Sequence, residues 1–385
     1  MNEVYKKIKV LIVLPSLHQG GVERQVSYLF KTLNRDIFEV HLGYFKNRDI
    51  FYQDLIQDEH HCHLLGTGKK TSWKSFLGLL HIIRKIRPDV LHLYTESANQ
   101  LGGLASLFCR VPVILFSVRT TCLASRDHGL YRFLLKGRAR LTLVNSKGIE
   151  EELIRRSRFQ KDKIKILPNF LDTNFFSPEG GGREETRQTF GFKPEQLIIG
   201  SLGRISFQKN QHGAVRAVKH LRDKNLLPAS FRLFFFGKEY DRAYTQQLLA
   251  LIRDCQLTDI CFVRDPYSDV VSLYRALDGL FQPVHFEGLS NVVIEAQACG
   301  LPVALSNEGD NDGLIQNKET GISFSIDSTD NTAEGLQRLL SVCLDPRKKE
   351  EVCQKARASV VNRFSVEKGV RTVEETYLSL LKTRP

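Results

Sequence analysis

Strand-length apolar runs alternate with helical segments twice along this chain, with a pause between the two series. Lys9–Pro15 reads as a strand, and Gly20–Leu33 as a helix carrying Val22, Val26, Leu29, Phe30 and Leu33 on one face. Phe38–Gly43 reads as a strand and Lys74–Arg87 as an amphipathic helix stopped by Pro88. Val90–Leu93, Val113–Ser117 and Leu141–Asn145 read as further strands. Pro168-Asn169 then marks a turn and Ser177–Gly182 a loop. The alternation restarts at strand Leu197–Leu202 and runs through helix Gln211–Arg222, strand Phe231–Phe236, helix Arg242–Asp254, strand Ile260–Val263, helix Val270–Ala276, strand Gly279–Gln282, helix Asn291–Ala298 and strand Val303–Leu305. Parallel neighbours need a crossover, and a helix supplies it, so the pattern implies βαβ units. The expected fold class is α/β, with two Rossmann-like, doubly wound domains, 1–172 and 173–365, and a last helix at about 366–385 packing back on the first. Two such sheets facing across a cleft would bring ligands together beyond the C-terminal ends of their strands.

The composition fits two soluble domains: of 385 residues, 42% are hydrophobic and 25% charged. The longest apolar runs, Val10–Pro15 and Leu233–Gly237, are far short of the roughly 20 residues a membrane span needs. Eight scattered cysteines form no CxxC pair, and His61-Cys62-His63 sends neighbouring side chains to opposite faces, so no metal site is expected there. A cytoplasmic protein is expected. Residues 1–170 hold 28 Lys and Arg against 15 Asp and Glu, whereas the remainder is nearly neutral. A basic first half suits an anionic partner such as a membrane surface, or is merely a solvated basic surface.

The stretch His285–Leu305, HFEGLSNVVIEAQACGLPVAL, is apolar enough for core yet carries Glu287 and Glu295. A buried charge is costly unless paired. The strand ending at Gln282 leads through a loop with Glu287 and Gly288 into a helix that Ser290 or Asn291 can cap and Gly300 can end. Amides of Leu289, Ser290, Asn291 and Val292 would then face an anion, and the two glutamates could accept hydrogen bonds from hydroxyls. Phosphate together with many hydroxyls describes a sugar nucleotide. The plainer alternatives are a solvated loop acid for Glu287 and a base-paired helix acid for Glu295.

The same stretch resembles the E-x7-E signature of family-4 glycosyltransferases, retaining enzymes of the GT-B fold. Gln19-Gly20-Gly21-Val22-Glu23-Arg24 is similar to that family's N-terminal glycine loop, and Val144-Asn145-Ser146 to the motif closing its first domain. Ile166–Asp172 resembles its interdomain segment, and Gly203-Arg204 with Lys209-Asn210 its phosphate-binding motif. The resemblance implies roles. Glu295 would hold the nucleotide ribose and Glu287 the donor sugar. Arg204, Lys209 and the 289–292 amides would neutralise the diphosphate. Gly20 and Gly21 would allow close approach to phosphates or acceptor. It also implies no metal and no cofactor, with a UDP-sugar as the first expectation for the donor. Asp310-Asn311-Asp312 has the D-x-D form but reads as a loop.

Three departures from the family pattern stand out. Where many relatives carry a His near the transferred sugar, this chain reads Ser117-Val118-Arg119-Thr120-Thr121, and Arg119 takes that neighbourhood. Phe170 replaces a common glycine, and Gly237-Lys238-Glu239 a common Gly-Asp-Gly. His92 lies in a segment resembling one near the acceptor. The expected activity is retaining transfer of a sugar to a glycan or lipid-linked acceptor of cell-surface polysaccharide. The alternatives are a nucleotide-sugar epimerase of the same fold and an inactive homologue binding an anionic polymer. No nucleic-acid module is present, and contact with the inner face of a membrane is expected through the helix at 74–87, chiefly packed on its sheet.

Overall fold

The computed structural model describes residues 6–18, 20–46, 55, 57, 60–66, 72–119, 138–157, 159–309, 313–316 and 319–383. Gln19, Thr120, Thr121, Cys122 and Asp310-Asn311-Asp312 lie outside them. Contacts divide the chain into two units, Met1–Phe170 with Val366–Pro385, and Leu171–Ser365.

The first unit is built on a seven-stranded parallel sheet, ordered β3-β2-β1-β4-β5-β6-β7. Its strands are β1 (Ile8–Ser16), β2 (Phe38–Lys46), β3 (Cys62–Leu64), β4 (Val90–Tyr94), β5 (Val113–Val118), β6 (Leu141–Val144) and β7 (Ile164–Ile166). Helices cover both faces, so β1, β4 and β5 bury nearly every side chain. At the β2–β3 edge the alternation of faces is plain. Cys62 Sγ donates to the Leu55 carbonyl, while the rings of His61 and His63 lie beside His41.

The helix Trp73–Ile86 starts one residue earlier than its sequence pattern suggests, because Ser72 caps it by accepting from the Ser75 amide. It packs Phe76, Leu79, Leu80, Ile83 and Ile86 inward and leaves Trp73 and Leu77 exposed. The helix Val366–Lys382 places Val370, Val373 and Tyr377 in the same core as Phe38, Leu167 and Phe170. Phe170 is buried against Gly369 and Tyr28 of this unit.

The second unit has a six-stranded parallel sheet, ordered β10-β9-β8-β11-β12-β13. Its strands are β8 (Leu197–Leu202), β9 (Phe231–Phe236), β10 (Cys261–Arg264), β11 (Gly279–Gln282), β12 (Val303–Ser306) and β13 (Ile322–Phe324). The order reverses direction between β8 and β11, which are paired through Gly279 and Ile199. Such a switch point separates the two outgoing loops and leaves room for a ligand.

Candidate functional site

At the switch point of the second unit, the loops after β8 and β11 are joined into one piece. The His285 amide donates to the Gln208 carbonyl at 2.9 Å, and Gln208 Nε2 donates to the Phe286 carbonyl at 3.0 Å. The Phe207 ring stacks on His285 with centroids 4.4 Å apart. The turn that delivers Lys209 depends on Gly203, whose φ of 137° is open chiefly to glycine. Gly237 is demanded by packing instead: a Cβ there would sit 1.8 Å from the Gly203 carbonyl oxygen.

This arrangement sets Lys209 against Glu287. Lys209 Nζ reaches both carboxylate oxygens, and both side chains are largely buried. Asn210, in the left-handed region at φ 51°, then caps the helix Gln211–Asp223 by accepting from the Gly213 amide. Arg204 is exposed. Its guanidinium lies 4.4 Å from the centroid of the Tyr240 ring and donates to Gln208 Oε1 at 3.2 Å, leaving most of its donors available.

Gly288, Leu289 and Ser290 carry the chain into the helix Asn291–Ala298, with Leu289 and Ser290 buried. Ser290 is the N-cap residue, but its side chain makes no capping hydrogen bond. The amides of Asn291 and Val292 lie in the first turn, where a helix offers no internal acceptor. Glu295 lies one turn further on and is buried, and its Oε2 accepts from the Tyr274 hydroxyl at 2.9 Å. Gly300, at φ 71°, ends the helix in the left-handed conformation that glycine tolerates. Arg204, Lys209, Glu287, the 288–292 turn and Glu295 therefore all belong to the C-terminal edge of one sheet.

Gly20, Gly21, His92 and Arg119 belong to the other unit. Gly20 precedes the helix Gly21–Thr32 in extended conformation, and a Cβ there would meet Glu23 Oε2 at 2.3 Å. Glu23 is buried and lies 3.3 Å from His18 Nδ1. His92 is seated in the core rather than beside a ligand. Its Nδ1 is 2.6 Å from the Tyr377 hydroxyl and its Nε2 2.8 Å from Ser117 Oγ, so both ring nitrogens are engaged. Burial, and then the charge of Arg119, push its pKa down to about 3, so the ring is neutral. Arg119 Nη1 donates to the Leu167 carbonyl and to Asn169 Oδ1, each at 3.0 Å.

Sequence reasoning passed over Tyr274, Tyr240 and Glu23. The first two carry no motif, and only the fold sets them against Glu295 and Arg204. Glu23 lies within the glycine-loop segment, and its burial, which no local pattern encodes, sets it apart.

Comparison with known proteins gives this geometry a family. The model of Glycosyltransferase Family 4 matches residues 19–175, and that of Glycosyl transferases group 1 matches residues 182–360. The chain is 23% identical over 396 residues to a UDP-Gal:alpha-D-GlcNAc-diphosphoundecaprenol alpha-1,3-galactosyltransferase of Escherichia coli, covering 99% of each chain. It is 24% identical over 322 residues to the capsular polysaccharide biosynthesis glycosyltransferase CapM of Staphylococcus aureus, covering 80% of this chain and 81% of the other. Among solved structures, HepE of Anabaena in complex with UDP superposes with a TM-score of 0.81 at 19% identity, over 97% of this chain and 100% of that one. A glycosyltransferase of Rickettsia africae superposes with a TM-score of 0.82 at 19% identity, over 98% and 100%. These likenesses establish the GT-B fold, and in chain order residues 19–175 are similar to Glycosyltransferase Family 4 and residues 182–360 to the group 1 glycosyl transferases.

Proposed function

We propose that this glycosyltransferase moves a sugar from a UDP-sugar to a glycan or lipid-linked acceptor of cell-surface polysaccharide. The observation that supports the reading best is the Lys209–Glu287 pair beside the first turn of the helix Asn291–Ala298. A cation, a row of amides and a carboxylate at one sheet edge suit a diphosphate joined to a polyol. The uridine-containing names of the Escherichia coli relative and of the HepE complex support UDP over other nucleotides.

In this reading the donor diphosphate takes Lys209 and Arg204, and Glu287, released from Lys209, accepts hydrogen bonds from the sugar hydroxyls. Glu295 accepts from the ribose. Breaking the bond between the anomeric carbon and the phosphate oxygen leaves negative charge on the diphosphate. Lys209, Arg204 and the helix amides are placed to stabilise it. The acceptor oxygen bonds to the anomeric carbon on the same face, retaining configuration, and its proton passes to the departing phosphate oxygen. These cations supply the charge that a metal would otherwise supply, so no metal or cofactor is invoked. Gly20 and Gly21 serve close approach of phosphate or acceptor in the first unit.

An epimerase finds no support in the two relatives named above, both transferases by name. No helix among the described residues is long and apolar enough to cross a membrane. The exposed Trp73, Leu77, Leu107 and Phe108 of the basic first unit support peripheral contact with an anionic inner membrane face.

Thermal-shift screening with UDP-, GDP- and ADP-sugars tests the donor, since a ligand of the native state raises the melting temperature. UDP-sugars should stabilise most, and transfer should persist in EDTA with the anomeric configuration kept. Stabilisation by another nucleotide alone, or loss of transfer in EDTA, overturns the corresponding part.

A further inference from the structure

Arg119 is a buried cation with no anionic partner among the described residues. It is 9% exposed, and among the described residues it forms no ion pair. Two contacts hold Nη1, but Nε and Nη2 are shielded from solvent and have no hydrogen-bond partner. A desolvated guanidinium that nothing neutralises is costly, and a protein that keeps one gains from it in another state.

Its neighbours share the deficit. The register pairs Tyr94 with Ser117 and Val118 with Val144. The residues that follow, Thr95, Arg119 and Asn145, therefore lie along the C-terminal ends of three adjacent strands. Thr95 Oγ1 and Asn145 Oδ1 are also buried without partners, and the buried Tyr94 hydroxyl has only loose contacts with Ser117 and Arg119. Arg119 Cζ lies 5.5 Å from the centroid of the Tyr94 ring. Thr95 adopts φ 74° and ψ 163°, a conformation essentially reserved for glycine, and such strain gathers at functional sites. It stands at the N-cap of the helix Glu96–Ala105, yet its hydroxyl makes no capping bond. Glu96, the acid next to it, accepts from Gln100. Two guanidinium N–H edges, two hydroxyls and a helix N-terminus are thus donors carried by neighbouring strand ends, and a flipped Asn145 amide would add an NH2.

We propose that this edge of the first sheet binds a phosphate or diphosphate group carried by the acceptor, which makes the acceptor a phosphorylated molecule and not a neutral glycan. This rests on the glycosyltransferase reading above. The donor has its own cations, Arg204 and Lys209, in the second unit, whereas Arg119 has no counter-charge among the described residues.

Calorimetric titration of the full chain with inorganic pyrophosphate, and separately with UDP, tests it on wild type, Arg119→Gln and Arg204→Ala. Pyrophosphate binding that survives Arg204→Ala should weaken at least about tenfold in Arg119→Gln, the worth of a lost charged hydrogen bond. UDP affinity should be unchanged by Arg119→Gln and reduced by Arg204→Ala, and the basal melting temperature of Arg119→Gln should not fall. Tyr94→Phe, which removes one hydroxyl from an otherwise intact core, should show a smaller loss of the same kind. A lower melting temperature with unchanged pyrophosphate affinity makes Arg119 structural and overturns the proposal. Equal loss of UDP and pyrophosphate in Arg119→Gln gives the anion to the donor and overturns the acceptor assignment. Failure of UDP to bind any of the proteins sinks the donor reading and leaves the Arg119 comparison to be read from pyrophosphate alone.

Discussion

Lys209 Nζ donates to both carboxylate oxygens of Glu287, at 2.8 and 2.7 Å, with the two side chains only 8% and 17% exposed. Each charge is the other's main compensation, and 78 residues of sequence separate them. The pair therefore stabilises the loops it joins, and in the proposed donor complex it opens as the diphosphate takes the ammonium.

Breaking one side of the pair should cost more than removing both. Lys209→Met takes the ammonium away from a largely buried carboxylate and should lower stability by up to about 3–5 kcal/mol, whereas Lys209→Met with Glu287→Leu should recover most of that loss. Neither variant should retain transfer. Urea denaturation of the single and double variants measures the coupling, and simple additivity would mean the pair is already solvent-screened.

Glu295 and Tyr274 should separate by magnitude. Glu295→Ala removes a charged acceptor and should weaken UDP-sugar binding by about 1.5–3 kcal/mol. Tyr274→Phe removes only the hydroxyl that orients Oε2, and should weaken it by about 0.5–1.5 kcal/mol. Calorimetry with a UDP-sugar reads both, and an unchanged donor affinity in Glu295→Ala would remove it from the ribose.

The division between what the sequence reveals and what it hides follows from the range of each interaction. The run through β1 is legible because a parallel strand covered on both faces is apolar at every position. The helix Glu96–Ala105 is not, because its packing face is Ala98, Asn99, Gly102, Gly103 and Ala105. Gly102 has to be small, since a Cβ would sit 2.3 Å from Leu93 Cδ1, and small residues leave no hydrophobic stripe to read. The three-residue edge strands β3 and β7 are too short to show a period. At the site, residue types and spacing mark Glu287 and Glu295 as unusual acids. That one meets Lys209 and the other Tyr274 depends on which strands are neighbours, which no local pattern encodes. The engagement of His92 by Tyr377, 285 residues away, is hidden for the same reason.

Stability should fall with acid through His92. Burial and the Arg119 charge lower its pKa to about 3, against about 6.5 in an unfolded chain. The folded protein thus prefers the neutral ring. The stabilisation is complete above pH 6.5 and is lost as pH falls toward 3, because the unfolded chain takes the proton first. By pH 5 the loss is about 2 kcal/mol. His41, His212 and His285 are also lowered by burial and add to the same trend in every variant. Denaturation at pH 7.5 and 5.0 should therefore show wild type losing about 2 kcal/mol more than His92→Gln. Equal losses would mean that His92 is protonated in the folded state.

Trp73, Phe76 and Phe108 form a connected aromatic group, with ring centroids 5.2 and 6.1 Å apart, and Trp73 and Phe108 are exposed. Aromatic rings beside basic residues such as Lys74 and Arg110 suit the headgroup region. Sedimentation with phosphatidylserine-containing vesicles should show binding that falls as salt rises, since each Lys or Arg near the surface contributes about 1 kcal/mol that ions screen. Trp73→Ser with Phe108→Ser should weaken what remains at moderate salt. Binding equal on neutral and anionic vesicles, or none on either, would leave these rings without a membrane role.

Gly369 sets two general effects against each other in the helix Val366–Lys382. Replacing a helical glycine with alanine ordinarily stabilises by about 0.5–1 kcal/mol. Here a Cβ would lie 2.2 Å from Cδ1, 2.4 Å from Cγ and 2.7 Å from Cβ of Phe170. That ring cannot swing aside as a long flexible chain would, because it is buried beside Tyr28 and its backbone amide and carbonyl are both held by Gln25. Overpacking of this kind costs about 1–3 kcal/mol. Crowding should win, and Gly369→Ala should unfold at lower denaturant than wild type. Pairing it with Phe170→Gly removes the clash but also the ring. The double variant should then lie close to Phe170→Gly alone, or slightly above it as the helix gains from alanine. A single Gly369→Ala variant more stable than wild type would show that helix propensity outweighs the contact with Phe170.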